Sequence, residues 1–199
     1  MNRRFPIPRP VTSLLVLPLA LALAISGCGR TPADSQQDMQ LLEIAERGDV
    51  SALDALLRRH ADADVRDSCH WTPLMKAALN GHPDAVRHLL DAGAAVEAED
   101  KGGYTALMLA ASNNHPRIVE MLLDHGAMID AQERTQGFTA LIWAAQRGHL
   151  DTVTLLLRRG ADATLPDFEG ETAADRALEE DHTEVHRLLF TPPAGAAAG

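Results

Sequence analysis

The sequence predicts an all-α solenoid of stacked helix pairs, on three observations. Four threonines, Thr72, Thr105, Thr139 and Thr172, recur at spacings of 33, 34 and 33 residues. A fixed period of that length is the mark of a repeat array. After each threonine, apolar residues fall at helical spacing rather than in the alternation of a half-buried strand. Glycine or proline then punctuates most units at the same places, where one helix ends and another begins.

The segments that align are Trp71-Thr-Pro-Leu-Met-Lys-Ala-Ala, Tyr104-Thr-Ala-Leu-Met-Leu-Ala-Ala, Phe138-Thr-Ala-Leu-Ile-Trp-Ala-Ala and Glu171-Thr-Ala-Ala-Asp-Arg-Ala-Leu. Each Thr suits a helix N-cap, its hydroxyl accepting from an early backbone N–H. Pro73 fits the first helical position, where a missing N–H is harmless. Leu74, Ala77 and Ala78, like Leu107, Ala110 and Ala111 or Leu141, Ala144 and Ala145, share one face. Their small alanines allow close approach of short helices. Breaks at Gly81-His82, Asn114-His115 and Gly148-His149 precede a second helix, which Pro83 and Pro116 restart. Val86, Leu89 and Leu90 recur as Val119, Leu122 and Leu123, and as Val153, Leu156 and Leu157. Gly93, Gly126 and Gly160 close it in the left-handed conformation. A turn carrying Asp100 and Gly103, or Asp167 and Gly170, leads to the next Thr. The single 34 spacing implies one inserted residue near Arg134 to Gln136, in a turn that tolerates it.

This pattern resembles the ankyrin repeat, from about Met39 to Phe190. The resemblance implies pairs of antiparallel helices with β-turn fingers projecting at one side. It gives a domain over 38–190 in about five units: 38–67, 68–100, 101–133, 134–167 and 168–190. No such unit buries its apolar face alone, so the stack forms one elongated core. The ends read as caps. Asp38 to His60 has Leu41, Leu42, Ile44, Ala45, Leu53, Leu56 and Leu57 in place but lacks the Thr, and Ser35-Gln-Gln-Asp38 fits a capping box entering it. The last unit has polar Asp175 where the others have Met75, Met108 and Ile142, which suits an outward face. Residues 191–199 are expected to be a disordered tail. His60 and His70 stand where the family favours glycine, and histidine tolerates positive φ better than most residues.

The first 27 residues read as an address. Arg3, Arg4 and Arg9 precede an apolar run from Val11 to Ile25, and no acid appears before Asp34. At about 15 residues the run is short of the roughly 20 that span a bilayer as a helix, and it fits a secretory signal peptide. Ile25-Ser26-Gly27-Cys28 resembles the lipobox of bacterial lipoproteins. That resemblance implies cleavage before Cys28, lipidation of Cys28 with two or three acyl chains, and a membrane anchor on the periplasmic side of a bacterial cell envelope. Two or more chains hold stably where one does not. Gly29 follows the cysteine, where an Asp tends to retain such proteins at the inner membrane in enteric bacteria, so the outer membrane is favoured. Residues 28–37 would then be lipidated Cys and tether. Losing three Arg and no acid takes the formal charge from −10 to −13.

Composition excludes several classes. With 46% hydrophobic and 23% charged residues, the chain can bury a core and is not a mostly disordered one. The acid excess argues against a nucleic-acid partner, which requires clustered Lys and Arg. Two cysteines, Cys28 and Cys69, build neither a disulfide framework nor a four-Cys zinc site. No nucleophile elbow, phosphate loop or HExxH stretch occurs, so neither a catalytic site nor a cofactor is expected. His82, His115, His149 and His182 recur at one repeat position, and are read as structural rather than as metal ligands; the more scattered His88, His125 and His186 are not read as ligands either. Cys69, in a turn, is read as a surface thiol with a possible redox role tuned by His70 as the alternative.

The functional signal is aromatic. Trp71, Tyr104 and Phe138 precede three threonines, and Lys76, Leu109, Trp143 and Arg176 lie four residues after theirs. The ankyrin resemblance places these seven on the fingers and inner helices of a concave partner-binding face, and Trp and Tyr are favoured interface anchors. The expectation is a lipid-anchored module, monomeric by itself, that binds a protein and scaffolds or protects an envelope enzyme. The layout resembles bacterial periplasmic ankyrin proteins associated with antioxidant enzymes such as catalase. Two alternatives stand beside it: an immunity protein that neutralises a toxin, for which the acid excess suits a basic toxin, and an enzyme. The acidic run of Glu169, Glu171, Asp175, Glu179, Glu180, Asp181 and Glu184 is read as a solvated cap, with electrostatic steering of a basic partner as the functional alternative.

Overall fold

The computed structural model describes residues 32–59 and 62–190. The signal peptide (1–27), the lipidation site Cys28, the start of the tether, His60 and the tail (191–199) lie outside the described residues. Those described form ten helices and no strand. In chain order they are α1 (Pro32–Arg47), α2 (Val50–Leu57), α3 (Pro73–Leu79), α4 (Pro83–Asp91), α5 (Ala106–Ser112), α6 (Pro116–Asp124), α7 (Ala140–Gln146), α8 (Leu150–Arg158), α9 (Ala173–Glu179) and α10 (Thr183–Phe190). Each odd helix packs on the even helix that follows it, and the odd helices stack in order as an inner layer. The even helices form a looser outer layer.

The inner layer is tight because its contact positions are alanine. Ala77, Ala78, Ala110, Ala111, Ala144, Ala145 and Ala177 have no accessible surface, and nothing beyond Cβ separates the backbones. The outer layer carries Val86, Leu89, Val119, Leu122, Val153 and Leu156, all fully buried. One continuous core runs from Leu41 to Leu189, as a stack of units that cannot fold singly requires.

The caps follow the sequence. Thr72, Thr105, Thr139 and Thr172 accept the N–H of Met75, Met108, Ile142 and Asp175 at 3.2–3.4 Å. Pro73, Pro83 and Pro116 open their helices, and Gly93, Gly126 and Gly160 have positive φ. His70 does take the turn glycine's place, with φ 68°. Asp175 does more than face outward. Its carboxylate accepts the N–H of Thr172 at 2.9 Å and closes a capping box.

One detail differs from expectation, and the repeated histidines gain partners. Helix α1 begins at Pro32 rather than Asp38, so residues 32–37 of the expected tether are helical and Ser35 lies within the helix. His82, His115 and His149 make no side-chain cap bond to the helices they precede. Instead His82, His115 and His149 reach back one unit and donate from Nε2 to the carbonyls of Glu46, Leu79 and Ser112 at 2.9–3.1 Å. Their rings occupy the space beside the preceding unit's break. A Cβ on Gly81 would lie 2.5 Å from the His115 ring, and one on Gly148 would lie 2.6 Å from that of His182. Glycine there serves both the left-handed turn and the seat of the next unit's histidine.

Candidate functional site: the inner face and its fingers

Each finger is organised by one buried or half-buried carboxylate. Asp67 accepts the N–H groups of Cys69 and Trp71, Asp100 those of Gly102 and Tyr104, and Asp167 those of Glu169 and Glu171, all at 2.7–3.0 Å. In the finger that leads into the fourth unit Glu133 replaces Asp and stands six residues before its Thr instead of five. Its longer side chain spans the longer turn, accepting from the N–H of Thr135, Gln136 and Phe138 at 2.5–3.0 Å and from the Thr135 hydroxyl. The inserted residue is therefore matched by an inserted methylene. Burial pushes the Glu133 carboxyl up, but these hydrogen bonds outweigh it and hold the group below its ordinary value. Neighbouring fingers are joined by single backbone bonds: Lys101 N–H to Cys69 O, Arg134 N–H to Gly102 O, and Phe168 N–H to Gln136 O.

The aromatic residues sit where finger meets inner helix, in a chain that crosses units. The Tyr104 ring lies 5.9 Å from that of Trp143, and Phe138 packs edge-on to Trp143 at 4.9 Å. The Arg147 guanidinium stands 5.6 Å from the Trp143 ring. Tyr104, Leu109, Asn113, Trp143 and Arg147 line a cavity of about 200 Å³ on this face. The Trp143 indole N–H is buried without a hydrogen-bond partner among the described residues, an uncommon state that asks for a reason. Nearer the N-terminus, Lys76 pairs with Glu46 at 3.3 Å and lies 5.1 Å from the Trp71 ring.

Three of the seven expected contact residues are corrected by their burial. Phe138 is 1% exposed, because Trp143 covers it from its own unit and Arg176 stands 5.3 Å from its ring from the next. Leu109 is buried beneath the same cavity. Arg176 is consumed internally. It binds Asp167 at 2.6 Å, Glu169 at 2.5 Å and Glu179 at 3.0 Å. The Glu169 carboxylate raises its pKa, burial opposes this, and Asp167 and Glu179 add to the rise. These three support the surface and do not present it. Trp71, Lys76, Tyr104 and Trp143 remain partly accessible.

The first unit contributes what sequence reading missed. Glu43 stands 33 residues before Lys76, at the register position of Lys76, Leu109, Trp143 and Arg176. With Met39, Leu42, Glu46, Arg66 and Lys76 it lines an open groove of about 530 Å³. The signal was the period itself, extended one unit upstream of the first Thr.

The remaining candidate chemistry is accounted for locally. His88 Nδ1 lies 2.5 Å from Asp54 Oδ1, His125 Nδ1 donates to Met121 O, and His186 Nδ1 donates to Ala174 O. No group of three or more His, Cys, Asp or Glu among the described residues is placed to hold a metal. Cys69 is an exposed, free thiol. No helix of the described residues is long and apolar enough to cross a membrane.

No curated protein matches the chain. A family profile described as ankyrin repeats (3 copies) matches residues 41–133 and 128–197. Those spans contain every finger and capping threonine described above and every helix from α2 onward, and the repeat is a protein–protein interaction module, in a family of typically non-enzymatic binding scaffolds. The chain belongs to the ankyrin-repeat family.

Proposed function

We propose that the protein is a lipid-anchored module of a bacterial cell envelope that binds a protein partner through its inner, concave face and so scaffolds or protects an envelope enzyme, for instance an antioxidant enzyme such as catalase. The observation that carries the binding part is the Tyr104–Trp143 pair: two large, partly accessible aromatics tilted against each other at the finger–helix junction, lining a small cavity, with an indole N–H buried without a partner among the described residues. Aromatic anchors lose little entropy on binding, and rigid support limits the ordering that association requires. The anchor rests on Ile25-Ser26-Gly27-Cys28 directly after an apolar run, with the outer membrane favoured by Gly29. Anchoring would hold the face near its membrane and raise the effective concentration of an envelope partner. The test is affinity capture from envelope extracts with the wild type beside Tyr104→Ala and Trp143→Ala. A protein retained by the wild type and lost from both folded variants is expected. The same proteins on all three would overturn the face.

A second reading, neutralisation of a basic toxin, is favoured by the charge of −13 beyond residue 27. Capture of a cationic toxin rather than an enzyme would select it.

A further inference from the structure

The last unit exposes apolar side chains at positions that the inner units cover more fully. Six residues after the capping Thr stand Ala78, Ala111 and Ala145, all fully buried. The last unit has Leu178 there, larger and 52% exposed. Eighteen residues after the Thr, Leu90 and Leu157 are buried and Leu123 is partly buried, whereas Phe190 is 67% exposed. The Phe190 ring rests edge-on against His186 at 4.7 Å, and His186 stands at the position of the buried Val86, Val119 and Val153. Val185 and Leu189 are buried beneath, so α10 is held firmly on α9. In the interior, this side of each pair receives the next pair: α3 receives α5, and α4 receives α6.

Carboxylates stand in the turn that joins α9 to α10 and in the first turn of α10. Glu180, Asp181 and Glu184 are exposed and have no cationic partner among the described residues, while Arg176 is already held by Asp167, Glu169 and Glu179.

We propose that this C-terminal end face is a second docking surface, distinct from the inner face, for an amphipathic helix of a partner protein with apolar anchors and Lys or Arg along its flank. The shape follows from the stack, since the surface is built like those that receive a helix pair. The charge follows from the carboxylates on and between the two helices that carry Leu178 and Phe190: without a cationic partner among the described residues, they favour a basic occupant and repel an acidic one. A second copy meeting this one end to end would bring the same carboxylates into opposition. Residues 191–199, Thr-Pro-Pro-Ala-Gly-Ala-Ala-Ala-Gly, have no charge to answer them.

The test measures binding of the full chain to two labelled peptides patterned as amphipathic helices, one of Leu and Lys and one of Leu and Glu, by fluorescence anisotropy. The wild type should bind the Lys peptide, more weakly as salt rises, and not the Glu peptide. Leu178→Ser with Phe190→Ser should weaken binding at least tenfold, as should Glu180→Lys with Asp181→Lys and Glu184→Lys. Tyr104→Ala should leave it unchanged, which separates this surface from the inner face. The charge variant alters only exposed side chains and stays decisive if the apolar variant melts early. Unchanged binding by the charge variant would overturn the proposal, as would loss through Tyr104→Ala. So would a dimer of the wild type that Leu178→Ser dissolves, which assigns the face to a second copy. A tenfold gain on removing residues 191–199 would assign it to that segment instead and equally overturn the proposal.

Discussion

The Glu133 carboxylate accepts the backbone N–H of Phe138 at 3.0 Å across a turn one residue longer than those closed by Asp67, Asp100 and Asp167. Aspartate in that place is too short to serve all four donors. Glu133→Asp should therefore destabilise by about 1–3 kcal/mol, the effect of a buried polar group left unpaired. Deleting Thr135 in the same chain restores the 33-residue spacing and should recover much of the loss. Urea midpoints of the three proteins check this; equal midpoints for wild type and Glu133→Asp would contradict it.

Leu122 belongs to the fully buried outer column and Arg158 is exposed on the same layer. Leu122→Ala should destabilise by ~2–5 kcal/mol, and Arg158→Ala hardly at all. Units are stabilised by their neighbours, so hydrogen exchange should quicken in the flanking units as well. Exchange confined to 101–133 would contradict that coupling.

Burial lowers the His149 pKa from 6.5, opposed by its bond to Ser112 O, with the positive charge of Arg147 lowering it further. The unfolded chain then binds this proton more readily than the folded one, so the contribution is present above pH 6.5 and declines as pH falls below it. The Glu133, Asp167 and Asp175 carboxyls are held below their ordinary values by hydrogen bonds in spite of burial, and their contribution is lost at lower pH still. Melting temperature should fall in two stages on acidification. His149→Gln, which keeps an N–H for Ser112 O, should flatten the first stage alone. An unchanged pH profile would refute the assignment.

Metabolic labelling with a fatty-acid analogue should mark the wild type and not Cys28→Ala. Label persisting in the variant would remove the lipobox reading and, with it, the anchor.

The repeat was legible because its signals are local. Thr72 and its counterparts cap within their own helices, and the alanine faces recur within a single turn. What stayed hidden depends on contacts between units. Nothing near Phe138 in sequence says that Arg176, from the next unit, will stand over it, and the same holds for the burial of Leu109. The histidines read as structural, but their partners lie 36 or 37 residues upstream. The residue inserted near Thr135 looked merely tolerated, since its compensation in Glu133 is a change of side-chain length, not of polarity. Glu43 was missed because its unit lacks the Thr that anchors the register. Residues 32–37 carry no apolar periodicity, so the early start of α1 had no sequence signal.

The central claim is that the inner aromatic face binds the partner, and the dissociation constant of the captured protein for surface variants tests it most directly. Trp143→Ala and Tyr104→Ala, shown by melting to be folded, should each weaken binding at least tenfold, about 1.4 kcal/mol. Reversing the exposed cation beside the aromatic pair with Arg147→Glu should weaken it too, and Arg158→Ala on the outer layer should leave it as it is. Wild-type affinity in all three inner-face variants would contradict the account.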